Sequence, residues 1–156
     1  MKSTVFYYSR TGKTAIAAKT LAEKIEGDLI EIKDLKNRMG ILGWLRSAFD
    51  ARGDKLTQIE PETLDISNYD TICIGTPVWA GKPAPAVRSA VQNFEITGKD
   101  VILFVTLSGS KPEGALASMQ KIIEDNGGNV IKTIAIENSG KKSDNEIINE
   151  IKEMKI

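Results

Sequence analysis

At 156 residues, with 21 Lys plus Arg balanced by 21 Asp plus Glu, the chain can bury a sizeable core as one domain, and its bulk charge selects neither nucleic acid nor membrane as a partner. Histidine is absent, which removes imidazole bases, His-containing triads and most zinc or haem ligation, so no metal site is expected. The single cysteine, Cys73, excludes an intrachain disulfide, a redox thiol pair and an all-Cys cluster, so redox work would require a bound cofactor.

The start, Met1-Lys2-Ser3-Thr4, has no long apolar core of the signal-peptide kind, and apolar runs such as residues 101–105 fall far short of a membrane span. A soluble, cytoplasmic protein is expected. Residues 3–8, aromatic and β-branched, read as a first strand. Ser9-Arg10-Thr11-Gly12-Lys13-Thr14 follows, and then Ala17, Ala18, Leu21, Ala22 and Ile25 form a helical stripe. A hydroxyl-rich turn between strand and helix gathers free N–H groups and hydroxyls at the positive end of the helix, which suits an anion. Thr11-Gly12-Lys13-Thr14 matches the end of a Walker A loop, but position 7 is Tyr where that motif needs Gly. The tighter Ser-x-Thr-Gly-x-Thr pattern suits a phosphate monoester; the competing reading is an ordinary capped turn.

Residues 29–33 read as a second strand with polar residues alternating in. The segment 36–56 is apolar from Met39 to Phe49 and reads as a helix covering the sheet, with Trp44 or Phe49 alternatively an aromatic wall for a ligand or a dimer contact. Residues 69–75 form a third strand, with Cys73 as inert core. Val87, Ala90, Val91 and Phe94 mark a helix, residues 100–106 a fourth strand, and Leu116, Met119, Ile122 and Ile123 another helix. Residues 129–137 form a fifth strand, and Ile147, Ile148, Ile151 and Met154 a last helix. Gly98 and Asn126-Gly127-Gly128 stand where helix ends are expected.

Alternating strands and helices imply a parallel sheet covered on both faces. The first, third and fourth strands are almost continuously apolar and belong at the centre; the second and fifth carry charges and belong at the edges. The order is therefore 2-1-3-4-5, with ligands expected beyond the carboxyl ends of the strands.

The loop Thr76-Pro77-Val78-Trp79-Ala80-Gly81-Lys82-Pro83 leaves the third strand at that same end, and Trp79 is either a lid or a stacking platform for a planar ligand. Gly81 permits positive φ in the Trp79-Ala80-Gly81-Lys82 turn. The turn at residues 9–14 resembles the FMN-phosphate loop of the flavodoxin family, and residues 74–87 closely resemble the flavin-ring loop of bacterial and archaeal flavodoxins. The likeness covers the whole chain, as a single domain of residues 1–156. It implies a flavodoxin-like three-layer α/β sandwich with a five-stranded parallel sheet.

The resemblance further implies FMN, with Ser9, Arg10, Thr11, Gly12, Lys13 and Thr14 at its phosphate and Thr76, Pro77, Val78, Trp79, Ala80, Gly81 and Lys82 at its ring. Thr106, Leu107, Ser108 and Gly109, followed by Ser110, would make a third contact through backbone donors. In the family this last loop commonly carries an acidic residue and a stacking Tyr, and neither is present here. The implied function is a low-potential one-electron carrier between redox partner proteins: ferredoxin-like donors, reductases or acceptor enzymes. No residue of the chain is expected to act as a catalytic acid or base, and a monomer or weak dimer is expected. Flavodoxins are usually strongly acidic, so the balanced charge keeps open an FMN-dependent NAD(P)H:quinone reductase of the same fold. A nucleotide-binding kinase or NTPase and a flavin-free interaction domain are more distant readings.

Overall fold

The computed structural model describes residues 2–109 and 111–156; Met1 and Ser110 lie outside the described residues. In chain order the elements are β1 (Ser3–Tyr7), α1 (Lys13–Lys24), β2 (Asp28–Glu31), β3 (Lys33–Asp34), α2 (Gly40–Arg52), β4 (Ile59–Glu60), β5 (Thr71–Trp79), β6 (Lys82–Pro83), α3 (Pro85–Asn93), β7 (Asp100–Thr106), α4 (Glu113–Asp125), β8 (Asn129–Ile136) and α5 (Asp144–Glu153).

Strands β2, β1, β5, β7 and β8 lie side by side in that order, all parallel. This is the expected 2-1-3-4-5 arrangement. Side-chain alternation sorts the central strands into two cores. Phe6, Ile72, Ile74, Val101 and Leu103 pack with Val87 and Val91 of α3 and Met119 and Ile123 of α4. Val5, Cys73, Ile102 and Phe104 pack on the other face with Ala17 and Leu21 of α1 and Ile147 and Ile151 of α5. Each fully buried aliphatic side chain contributes about 1.5–3 kcal/mol. Burial pushes the Cys73 thiol up to about 12, so it is inert core, as its sequence context suggests.

Three details depart from the sequence reading. The first strand ends at Tyr7, although the Tyr8 N–H still donates to the Gly75 carbonyl at 3.2 Å. The second strand is divided: residues 28–31 join the main sheet, whereas Lys33 and Asp34 turn away to pair antiparallel with Glu60 and Ile59. Ile32, between the two, is fully buried, and its N–H donates to the Tyr7 carbonyl at 2.7 Å. Gly98 lies in the turn entering β7, beyond the end of α3, and donates to the Gly127 carbonyl at 2.8 Å.

A buried ion cluster bolts α2 to this frame. Arg38 and Asp34 have side chains only 3% and 0% exposed and pair at 2.9 Å, and Arg38 Nη1 reaches Asp50 at 2.7 Å. The backbone of Arg38 also presses on α2: a Cβ on Gly43 would lie 2.3 Å from the Arg38 carbonyl carbon, so only glycine allows this approach. Ser47 Oγ donates back to the Gly43 carbonyl at 2.7 Å. The inner side of α2 (Gly43, Ser47, Asp50, Ala51) is thereby buried, and its outer side is not.

Candidate functional site

The turn after β1 closes on itself. Ser9 Oγ accepts the Gly12 N–H at 3.1 Å, and Gly12 adopts a left-handed φ of 100° as the N-cap of α1. Gly12 has no side chain with which to cap the helix, so the first-turn N–H groups remain open to an anion. Thr14, in that first turn, is buried and shares a 2.7 Å hydrogen bond with the Thr106 hydroxyl at the end of β7. Lys13 takes a different direction: its ammonium donates to the Lys142 carbonyl at 2.8 Å and pairs with Asp144 at 3.1 Å, at the start of α5. Arg10 Nη1 makes a long contact, 3.5 Å, with the Arg38 carbonyl.

The segment read as a loop after the third strand is mostly strand. β5 continues through Thr76, Pro77 and Val78 to Trp79 and turns back into β6, with Val78 opposite Pro83 and Trp79 opposite Lys82. Ala80 and Gly81 both have positive φ, 49° and 76°, so this is a type I′ hairpin turn and not one with a left-handed residue at Gly81 alone. Tight two-residue turns of this kind match the right-handed twist of the strands they join, which is why the strand can extend so far. Thr76 is fully buried; its hydroxyl accepts the Ala84 N–H at 3.0 Å and donates to the Pro77 carbonyl at 2.9 Å. Lys82 pairs with Asp54 at 3.5 Å, just past the end of α2.

Trp79 is held in place from one side. Tyr8 meets it edge to face, with ring centres 5.6 Å apart, and the Arg10 and Arg38 guanidiniums lie 6.0 and 5.9 Å from its ring. Burial, with Asp34 adding to it, pushes the Tyr8 phenol up to about 12, so it stays neutral.

These pieces surround one cavity of about 530 Å³ at the carboxyl ends of β1, β5 and β7. Arg10, Thr11, Lys13 and Thr14 line one part, Pro77, Val78, Trp79 and Ala80 another, and Thr106, Leu107, Ser108 and Gly109 a third. Ser9, Gly12, Thr76, Gly81 and Lys82 shape these segments without lining the cavity. Trp44, Ser47 and Ala48 of α2 also line the cavity, so Trp44 faces into it, whereas Phe49 is not among the lining residues. Ser139 and Gly140, after β8, complete the lining and are absent from the sequence-based site. They are tied to the loop after β7: Ser139 Oγ donates to the Leu107 carbonyl at 3.2 Å and the Gly140 N–H to Ser108 Oγ at 3.0 Å. Their signal was the turn-forming Asn138-Ser139-Gly140 run at the carboxyl end of the fifth strand. Among the described residues no cluster of His, Cys, Asp or Glu could hold a metal.

The flavodoxin family model matches residues 2–154. The chain belongs to the flavodoxin family. No curated protein matches it by sequence. Among solved structures this family member is similar to a candidate flavoprotein from Bacteroides uniformis, at 28% identity and a TM-score of 0.81, over 97% of this chain and 98% of that one. A flavoprotein from Lactobacillus acidophilus, solved in complex with FMN, matches at 23% identity and a TM-score of 0.72, over 97% and 99% of the two chains. Oxidised flavodoxin 2 from Bacillus cereus matches at 16% identity and a TM-score of 0.61, over 97% and 92%. The last two likenesses establish the fold.

Proposed function

We propose that this family member binds FMN in the cavity at the strand ends and serves, as a single cytoplasmic domain, as a low-potential one-electron carrier between redox partner proteins. The observation that carries this reading is the meeting, in one cavity, of an uncapped helix start and an indole at the tip of a core strand. A phosphate monoester joined to a flat ring fits those two ends, and the Lactobacillus acidophilus relative was solved with that group. Bound FMN supplies the one-electron chemistry. The protein's residues bind, orient and shield it.

Ser9 closes the turn, and the open N–H groups after Gly12 meet the phosphate together with the Thr11 and Thr14 hydroxyls. If Thr106 donates in the Thr14–Thr106 pair, Thr14 keeps its own proton for a phosphate oxygen. Arg10 is the cation of the turn available to the cavity, since Lys13 is engaged with Lys142 and Asp144. Each charge-assisted hydrogen bond contributes about 1.5–3 kcal/mol when well aligned. Trp79 stacks on the ring, Trp44 covers its other face, and the backbone of residues 107–109 meets its polar edge.

Equal numbers of acidic and basic residues favour a second reading, an FMN-dependent NAD(P)H:quinone reductase, because a carrier that docks on basic partners gains from an acidic surface. An absorption spectrum of the purified protein mixed with FMN, followed by anaerobic reductive titration, tests both. A flavin spectrum and two separated one-electron steps, with slow oxidation of NAD(P)H, is the expected result. Rapid NAD(P)H oxidation by added quinone would favour the reductase, and failure to retain FMN would end both readings.

A further inference from the structure

We propose that the outward face of α2 docks on an anionic lipid surface. The helix is about 20 Å long. Ile41 and Leu42 are each 81% exposed and Phe49 75%, with Leu45 beside them. At 100° per residue these four side chains share one stripe, opposite the buried Gly43, Ser47, Asp50 and Ala51. Isolated exposed apolar residues are ordinary, but a continuous stripe on one helix marks a binding surface.

The charge around the stripe says what kind of surface. Arg46 and Arg52 are exposed on α2. The nearby acids are already engaged: Asp50 with Arg38, Lys36 and Lys55, and Asp54 with Arg88 and Lys82. The stripe is therefore framed by cations with no free acid among the described residues of α2. A second copy packed face to face would bring like charges together across the two-fold axis. An anionic partner is complementary. The stripe is convex, with its apolar side chains protruding, so it needs a medium that accepts them without a matching pocket, and the interfacial layer of a bilayer does that. Trp44, on the flank of the stripe, is the residue type favoured at that layer, and it also lines the cavity. Docking sets the cavity mouth beside the lipid headgroups.

The mode is peripheral: among the described residues no helix is long and apolar enough to cross a membrane. Whole-chain neutrality and the absence of a long apolar run, the grounds for expecting no membrane partner, do not register a patch of this kind. Ile41, Leu42, Leu45 and Phe49 are not assigned to the cofactor, and Trp44 alone is shared with the FMN reading, so the tests below leave Trp44 unchanged.

Co-sedimentation of the purified full-length protein with vesicles tests it. The protein should pellet with vesicles of phosphatidylglycerol mixed with phosphatidylcholine, and high salt should release it. Arg46→Gln and Arg52→Gln should each weaken binding about fivefold. Leu42→Ser with Phe49→Ser should abolish it while the far-UV circular dichroism stays unchanged, because both side chains already face solvent. Pelleting that is equal on pure phosphatidylcholine, or unaffected by the arginine changes, would overturn the proposal. So would a protein that ignores both vesicles: dimeric in sedimentation, it would point to a second copy on this face, and monomeric, to an acidic protein partner.

Discussion

Thr14 of α1 and Thr106 of β7, 92 residues apart in sequence, share a buried hydroxyl pair 2.7 Å long that ties the start of α1 to the central sheet. Replacing Thr106 by the isosteric Val leaves the Thr14 hydroxyl without that partner. The expected cost is about 1–3 kcal/mol in urea unfolding. The double variant Thr14→Val/Thr106→Val should lose less than the sum of the single changes, because no buried hydroxyl is then left unpaired. Strict additivity would show that the pair does not couple the two elements.

Thr11 lines the cavity beside the start of α1. Thr11→Ala should weaken FMN binding by about 1–3 kcal/mol and leave riboflavin binding nearly unchanged, since riboflavin lacks the phosphate. Fluorescence titration with both ligands makes the comparison. Equal losses would place the phosphate elsewhere.

Two indoles line the same cavity, one at the end of β5 and one on α2. Flavin emission should be quenched on binding. Trp79→Ala should restore more of it than Trp44→Ala, because Trp79 is backed by Tyr8 and two guanidiniums whereas Trp44 is 55% exposed. Full recovery in Trp44→Ala alone, with FMN still bound, would transfer the stacking role to α2.

Ala80 occupies the first central position of a type I′ turn with φ 49°, where Asn or Gly is the usual occupant. A left-handed Ala is disfavoured by roughly 1–2 kcal/mol. Ala80→Asn should therefore raise the thermal midpoint, and Gly81→Ala, at φ 76°, should lower it, a Cβ there meeting no neighbour but straining the backbone. Opposite signs in a thermal melt are the signature; a stabilising Gly81→Ala would contradict this turn geometry.

Burial pushes the Asp50 carboxyl up, but hydrogen bonds from Lys36 and Arg38 outweigh it and hold the group below its ordinary range. A depressed carboxylate stabilises the fold above its unfolded pKa, and that contribution is lost as pH falls from the ordinary carboxylate range through the lowered folded value. Asp50→Asn should flatten this acid limb of stability. It should also cost about 3–5 kcal/mol at neutral pH, because Arg38 stays buried with half its ion pairing gone. Unfolding midpoints measured across acid pH would show both effects, and a variant with an unchanged acid limb would remove Asp50 from this role.

The sheet order was readable because the strands differ in kind: residues 72–74 and 101–105 are apolar throughout, whereas residues 28–31 and 129–133 carry charge, and only the former can be buried on both faces. The strand–turn–helix junction at residues 8–13 was readable from short-range chemistry, its glycine and hydroxyls standing between an apolar run and a helical stripe. The extension of β5 through Trp79 was hidden by Pro77 and by Ala80 at a position that favours Asn or Gly, both of which suggest a loop. The pair of short strands β3 and β4 rests on a contact across 24 intervening residues, which no local pattern reports. Ser139 and Gly140 were missed for a similar reason: they reach the cavity through partners in the loop after β7, 32 residues earlier.

Because Trp79 is the last residue of a strand rooted in the core, the wall it forms is already in place before any ring arrives. Little ordering entropy is lost there on binding. The α2 wall differs in origin. It sits on a helix whose inner side is fastened by the buried Asp34–Arg38–Asp50 ion cluster and by the close approach of Gly43 to the Arg38 backbone. The strand tip is thus anchored by the sheet, and the α2 wall by charge: two walls of one cavity with separate foundations.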